Sequence, residues 1–463
     1  MMSEGKTNET ICALSTAPGL GAIALIRVSG DRAVDVVQPF FSKNLGNAKV
    51  RMAVHGWIEV EGEKVDEVVV TIFKAPASFT GEDTVEIACH GSLYIRQRII
   101  ELLISAGARM AQPGEFTMRA FLCGKMDLSQ AEAIGDLIAS ETAAAHKQAI
   151  HQMRGGFSQE INGLRQRLIH FASMVELELD FAEEDVEFAN RDQMQALLLE
   201  ILLVVNRLKD SFRLGNAMKN GVPVAIIGAP NAGKSTLLNA LLNEERAIVS
   251  DIAGTTRDTI EDHMTIEGVR FNFIDTAGIR DTSDEIERIG IERAMAKVKS
   301  AEVILLIFDV MTTSYDELAK LHKTIREEAG EGKLMVTIAN KTDHPDFDKT
   351  KFMSVFEGLE HLILISARQK LNLDELRNLL IHHINIGQIN QGETIVTNMR
   401  HYEALTKASS SLQEVLHGVQ SGITGDFLAI DIRKSLYHLG EITGQINADD
   451  LLNNIFSSFC IGK

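Results

Sequence analysis

The chain has 463 residues, 45% hydrophobic and 24% charged, the composition of a soluble protein of about three domains. Acidic residues outnumber basic ones 64 to 46, giving a net charge of -18. This excludes a chain-wide basic surface, so any RNA contact needs a local basic face or a partner's surface. Cys12, Cys89, Cys123 and Cys460 form no C-x-x-C pair, which argues against a disulfide framework and a zinc site.

The amino terminus, MMSEGKTNET, is polar and lacks the apolar core of a secretion signal. "AIALIRV" and "VDEVVVTIF" are β-branched runs bounded by turn signals and read as strands. "SLYIRQRIIELLISAG" has helical apolar spacing and ends at Gly107. Ser129 and Glu132 are expected to form a capping box that opens a helix over "QAEAIGDLIASETAAAHKQAIHQM". The helical pattern continues through "EINGLRQRLIHFASMVELEL" to about residue 215. The apolar "ALLLEILLVV" is short and carries Glu200, so it does not read as a membrane span. The cytoplasm is the expected location, with no membrane association.

Strands alternate with helices from "VPVAIIG" to "HLILISA", the pattern of a parallel sheet with crossover helices, and helices resume after about 385. The expected fold class is therefore α/β and all-α multidomain. Its regions are an N-terminal α+β domain at 1–124, a helical part at 125–215, an inserted P-loop domain at 216–384 and a second helical part at 385–463. Domain termini are often close in space, so the two helical parts are expected to make one discontinuous domain.

"GAPNAGKST" matches G-x-x-x-x-G-K-[ST] after a strand and before a helix, as a phosphate-binding loop requires. Asn231, Ala232, Gly233, Lys234, Ser235 and Thr236 are its expected nucleotide contacts. Backbone N–H groups wrap the phosphates, Lys234 neutralises their oxygens and the Ser235 hydroxyl ligates Mg²⁺. "FNFIDTAG" supplies Asp275 to the metal shell and Gly278 to the γ-phosphate, with Thr276 and Ala277 between them. In "DIAGTTRD", Thr256 is placed to close over the γ-phosphate and Mg²⁺. In "ANKTD", Asn340, Lys341 and Asp343 are assigned to the base. The Asp343 carboxylate offers two acceptors to the adjacent N1–H and N2–H of guanine, a donor pair that adenine lacks. "SAR", Ser366, Ala367 and Arg368, offers a backbone N–H to guanine O6. In this order the elements resemble the Ras-like GTPase superfamily, and the nucleotide is expected to be GTP.

Many Ras-like enzymes place a water-orienting glutamine directly after the glycine matched by Gly278. Here the position holds Ile279, which cannot accept a hydrogen bond, so a carboxylate among Asp281, Asp284, Glu285 and Glu287 is a candidate substitute. Arg257 is a candidate arginine finger. The other device is a monovalent cation such as K⁺, held by the Asn231 amide oxygen and backbone carbonyls between Ser250 and Thr255.

"GAPNAGKST", "DIAGTTRD", "DTAGIR", "SDEIERIGIERA" and the terminal "FCIGK" together resemble the MnmE (TrmE) family of tRNA-modification GTPases. "SFTGEDTVEIACHG", "PGEFTMRAFLCGKMDLSQAEAIGDLI" and "LDFAEEDV" extend the likeness towards the N-terminus, with Ala182 in place of an expected proline. The resemblance implies an N-terminal tetrahydrofolate-binding and dimerisation domain, a discontinuous helical domain and an inserted G domain. It implies a K⁺-dependent homodimer that works with the flavoprotein MnmG, as a heterotetramer or larger complex. The reaction places an aminomethyl-type group on carbon 5 of the wobble uridine of certain tRNAs, with the one-carbon unit carried by 5-formyl-tetrahydrofolate or a related reduced folate. By the same resemblance Asn231 and the carbonyls of Ser250, Ile252 and Thr255 bind K⁺, Ser235 and Thr256 bind Mg²⁺, and Glu287 positions water. Arg27, Glu86, Lys125 and Lys463 contact folate, and Cys460 lies where folate meets the base, as nucleophile or as pocket lining.

Other readings carry less. "GLGAIA" matches a dinucleotide fingerprint but is followed by a strand where the motif needs a helix. The acidic run from Glu176 to Glu187 reads as solvated charge. His90 and His151 have no ligand partners at useful spacing. A ribosome-assembly GTPase of the Era type is the alternative function, because it shares several G-domain motifs.

Overall fold

The structure is a computed structural model that describes residues 9–180, 191–245, 263–274, 298–330, 332–356, 359, 361–384, 394–421, 423, 425–446, 452, 455, 456, 459 and 462. The described residues divide into two compact units. One is drawn from Met1–Ala139, Ala149–Val205 and Ala404–Lys463, the other from Ser140–Gln148 and Asn206–Glu403.

In the first unit, strands β1 (Ile11–Leu14), β2 (Ile23–Ser29), β3 (Ala53–Val60), β4 (Glu63–Phe73), β5 (Thr84–His90) and β6 (Arg109–Met110) form a sheet in the order β3-β4-β5-β2-β1-β6. Pairing is antiparallel except between β1 and β6. Strand side chains alternate between faces. Ala24, Ile26 and Val28 of β2 and Val85, Ile87 and Cys89 of β5 therefore enter one core, shared with α1 (Ala33–Val37) and α2 (Leu93–Ser105). Burial there pushes the Cys12 and Cys89 thiols up to about 11. The same alternation turns Arg27, Ser29, Thr84 and Glu86 to the other face. As expected, α2 stops at Gly107, whose φ of 100° favours glycine and whose N–H donates to the Ile104 carbonyl (2.9 Å).

The chain continues through α3 (Glu115–Leu122), α4 (Leu128–Ala139), α5 (Ala143–Met153) and α6 (Gly156–Asp180). The capping box expected from Ser129 and Glu132 is corrected. Asp127 Oδ1 accepts from the Gln130 N–H (2.9 Å) and Gln130 Oε1 accepts from the Asp127 N–H (2.9 Å), so the box lies two residues earlier. Ser129 Oγ instead meets Ser158 Oγ at 2.8 Å in the interior. The single helix expected over 130–153 is two helices. Thr142 Oγ1 accepts from the Ala145 N–H (3.1 Å) and starts α5 afresh.

After α7 (Arg191–Asp210) and α8 (Phe212–Asn220), the second unit builds strands β7 (Val222–Ile227), β8 (His263–Ile266), β9 (Val269–Phe273), β10 (Val303–Asp309), β11 (Leu334–Asn340) and β12 (Leu362–Leu364). Their order is β12-β11-β10-β7-β9-β8, parallel except for β8. Helices α9 (Lys234–Glu245), α10 (Tyr315–Ala329), α11 (Lys349–Phe356) and α12 (Leu373–His383) accompany the strands. Where the chain enters and leaves this sheet, Ser211 Oγ accepts from the Val396 N–H (3.0 Å) and the Phe212 and Tyr402 rings stack at 4.6 Å. Gly215 allows the close approach, because a Cβ there would lie 2.1 Å from the Val396 carbonyl oxygen.

Residues of β11 are buried throughout, and Thr337 Oγ1 is buried there with no hydrogen-bond partner among the described residues. Thr337→Val removes an unsatisfied hydroxyl at almost constant volume. It is expected to stabilise this unit by about 1 kcal/mol, read as a rise of about 2–4 °C in its melting transition. An unchanged or lower melting temperature would contradict this account of the site.

Helix α13 (Met399–Gln420) begins in the second unit and belongs to the first from Ala404, which α14 (Gly425–Thr443) continues. Helix α14 packs along α6, and Gln445 Nε2 donates to Asn162 Oδ1 (2.8 Å). Beyond it, Leu452 and Phe456 are buried with Leu128 and Ala131 of α4. Among the described helices none is long and apolar enough to cross a membrane.

Candidate functional site

In a parallel sheet the carboxyl ends of the strands lie along one edge, and ligands bind where the connections diverge to either side. Here β7 has β9 on one side and β10 on the other. The loop after β7, the segment after β11 and the segment after β12 therefore share an edge. These hold 228–233, 340–343 and 366–368, the three described parts of the expected nucleotide site.

The two glycines of the loop have separate steric reasons. A Cβ on Gly228 would lie 2.1 Å from the Ile307 carbonyl oxygen, and one on Gly233, whose φ is 102°, would lie 2.1 Å from Asn340 Nδ2. Asn231 also takes a left-handed conformation, with φ at 63°. Lys234 Nζ donates to the Gly228 and Ala229 carbonyls at 2.8 and 2.9 Å, so its ammonium is held across the loop. Lys234, Ser235 and Thr236 form the first turn of α9, where the helix dipole favours an anion. This cradle fits phosphates, and the Ser235 hydroxyl fits a hard cation beside them.

Asn340 is 3% exposed and binds the halves of the site together. Its Nδ2 donates to the Ala232 carbonyl (2.8 Å), and its Oδ1 accepts from the Ala367 N–H (3.0 Å). Ser366 is buried, its Oγ accepts from the Gln369 N–H (3.1 Å), and Arg368 is exposed. Asp343 is half-buried on the same edge. Lys341, at φ 69°, donates to Asp309 Oδ2 (2.7 Å). Burial pushes the Asp309 carboxyl up, but the Lys341 ammonium and the Met311 N–H outweigh it and hold the group below the usual carboxylate range. Sequence reasoning missed Asp309. Its available signal was an acidic residue ending an apolar strand that pairs with the strand carrying "ANKTD".

A second cluster lies on the N-terminal sheet. Arg27 and Glu86 are cross-strand partners, and Arg27 Nε and Nη2 both donate to Glu86 Oε1, at 3.0 and 2.8 Å. The Arg27 guanidinium also lies over the Phe79 and Phe116 rings, 5.1 and 5.7 Å from their centroids. Lys125 Nζ donates to the Pro76 carbonyl (2.8 Å), and its stem lies over Gly81. Arg27, Glu86 and Lys125 thus gather around the 76–81 turn. Gly462 reaches the same sheet, where its carbonyl accepts from Ser15 Oγ (3.1 Å). Leu14, next to Ser15, pairs with Ile26 beside Arg27. A folate offers a carboxylate-bearing tail and a hydrogen-bonding ring, and this mixture of cations, carboxylate and aromatic faces fits both.

Ser250, Ile252, Thr255, Thr256, Asp275, Thr276, Ala277, Gly278, Glu287, Cys460 and Lys463 lie outside the described residues, as do Arg257 and Ile279.

Two family models match: "GTP-binding protein TrmE N-terminus" over residues 10–125 and "MnmE helical domain" over 128–460. The chain is 53% identical to the tRNA modification GTPase MnmE of Cytophaga hutchinsonii over 98% of each chain. It is 52% identical to that of Christiangramia forsetii over 99% of this chain and 100% of the relative. A crystal structure titled Era in complex with MgGDPNP and nucleotides 1506-1542 of 16S ribosomal RNA aligns at 26% identity, covering 41% of this chain and 66% of that one, with a TM-score of 0.27. About half the residues are identical in alignments that cover almost the whole length of the chain. The chain belongs to the MnmE family of tRNA modification GTPases.

Proposed function

We propose that this chain hydrolyses GTP in the service of tRNA modification. With the flavoprotein MnmG it adds a carboxymethylaminomethyl or aminomethyl group to carbon 5 of the wobble uridine, using a one-carbon unit from 5-formyl-tetrahydrofolate or a related reduced folate. The tRNA role follows the name its relatives carry. The observation that carries the nucleotide part is the Asn340 bridge, because it joins Ala232 of the phosphate loop to Ala367, the residue assigned to the base, through one buried amide. Lys234 exchanges its two loop carbonyls for phosphate oxygens, Ser235 and Thr256 hold Mg²⁺, and Asp343 reads guanine. Mg²⁺ supplies charge neutralisation at the phosphates.

Asn231 with the carbonyls of Ser250, Ile252 and Thr255 holds K⁺, and Glu287 positions the attacking water. Hydrolysis belongs to a homodimer in the cytoplasm. Exposed apolar residues of the N-terminal region support self-association: Leu20 before β2, Ile23 at its start and Tyr94 on α2, at 91%, 70% and 70% exposure. Arg27, Glu86, Lys125 and Lys463 bind the folate, and Cys460 lies at the meeting point of folate and base. The domains follow the boundaries given above, with the G domain at 216–384 between two helical parts. The Era-type alternative is less favoured, since the N-terminal match over 10–125 has no place in it.

The test is GTP turnover in K⁺ against Na⁺ across a dilution series. Turnover is expected to rise at least tenfold in K⁺ and to fall on dilution, because an added charge at the β and γ oxygens does the work of an arginine finger, worth about 10³–10⁵ in rate. Equal rates in Na⁺, unaffected by dilution, would overturn the dimeric mechanism.

A further inference from the structure

The turn carrying Phe79 is fixed from below by a buried ionic relay that the folate residues themselves do not explain. Arg119 of α3 is 3% exposed and donates through Nη1 to Glu82 Oε2 (3.1 Å) and through Nη2 to Glu115 Oε1 (3.0 Å). Burial pushes the Glu115 carboxyl up, yet the Arg109 guanidinium, the Gln112 N–H and Arg119 prevail and hold it below its ordinary range. Glu82 Oε2 in turn accepts from Ser29 Oγ (2.9 Å), and Ser29 Oγ meets Thr80 Oγ1 at 2.7 Å. Ser29 lies two residues from Arg27 on the same face of β2, and Thr80 is the neighbour of Phe79. The relay therefore ends beside both partners of the Arg27–Phe79 stack, at Ser29 and Thr80.

A purely structural ion pair has no need of this placement. The turn already has ties of its own: Ser78 Oγ accepts from the Gly81 N–H (3.0 Å), and Asp83 Oδ1 accepts from the Ala75 N–H (3.0 Å). The backbone ties the end of the turn to β2, where the Gly30 N–H donates to the Asp83 carbonyl (3.0 Å). What the relay adds is a side-chain tie to β2 at Thr80, next to Phe79, and this sets how far Phe79 lies over the Arg27 guanidinium. The pair Arg27–Glu86 uses only one carboxylate oxygen for both of its bonds, so ring contact with Phe79 and Phe116 does much to define where the guanidinium points.

We infer that Arg119 and Glu82 are positioning residues for the folate site, acting through Phe79 to aim Arg27. This deepens the folate reading and rests on it. Arg119→Ala would take the Arg119 cation from Glu82, leave buried Glu115 to Arg109 alone, and risks unfolding. The informative variant is Glu82→Gln in the full chain, which keeps the volume and an acceptor for Ser29 but weakens the tie to Arg119. Affinity for 5-formyl-tetrahydrofolate, measured by calorimetry, is expected to fall about tenfold in Glu82→Gln while GTP turnover in K⁺ is unchanged. In a Phe79→Ala background the same substitution is expected to change affinity by less than twofold, because its route of action is gone. Ser29→Ala cuts the relay on the strand side and is expected to show the same loss and the same silence with Phe79→Ala. A loss that persists at full size in the Phe79→Ala background, or no loss in either relay variant, overturns the positioning role while leaving folate binding intact. Failure of the unaltered chain to bind folate overturns both.

Discussion

Asp343→Asn is expected to lower GTP affinity by about two to three orders of magnitude and to raise affinity for XTP above that for GTP. The carboxylate offers acceptors to both guanine donors, whereas an amide offers one acceptor and turns its NH₂ towards the guanine N2–H donor. Loss of a charge-assisted bond, with a donor left facing a donor, costs about 3–4 kcal/mol. Xanthine carries a carbonyl where guanine carries N2–H, so the amide that clashes with one base complements the other. Nucleotide titration with GTP and XTP reads both halves of the result. Retention of GTP binding within fivefold, or no gain for XTP, would remove Asp343 from the base site.

Gly462→Ala is expected to reduce tRNA modification at least a hundredfold while GTP turnover in K⁺ stays within twofold of the unaltered chain. The residue has φ at 96°, and an added Cβ would lie 2.1 Å from the Leu14 carbonyl oxygen. That oxygen belongs to a sheet strand and cannot swing aside as a side-chain end would. Gly462 must lift from the sheet, and this carries to Lys463 and Cys460, joined to it along the chain and proposed to act at the folate site; about 1 Å of misplacement at a reacting centre costs about 10²-fold. In-vitro modification with the partner present, run beside a GTP turnover assay, separates the two activities. Undiminished modification would show that the tail has no part in the chemistry, and equal loss of both would make its role structural.

The phosphate loop was legible because its chemistry constrains the chain tightly: a strand, two glycines with close neighbours and a helix start must follow within a dozen residues. The β2 strand was legible from its β-branched run. The start of α4 was not, because Asp127/Gln130 and Ser129/Glu132 both have capping spacing and local sequence ranks them alike. The contact of Ser129 with Ser158, 29 residues away, decides between them. Asp309 and Phe79 were missed for a related reason. Each acquires its role by pairing with a residue more than 30 positions distant, Lys341 and Arg27 respectively, and no periodic pattern announces such a pair. The three nucleotide segments were readable one by one, but their bracing through Asn340 appears only when the strands lie side by side.

The Ser211–Val396 bond and the Phe212–Tyr402 stack bear on how such a long excursion of the chain is tolerated. A detour whose two feet are fastened together behaves, for the helices it interrupts, like a short loop: the entropy of closing it has already been met inside the detour. Evolution could therefore lengthen or reshape everything between the feet without loosening what lies outside them.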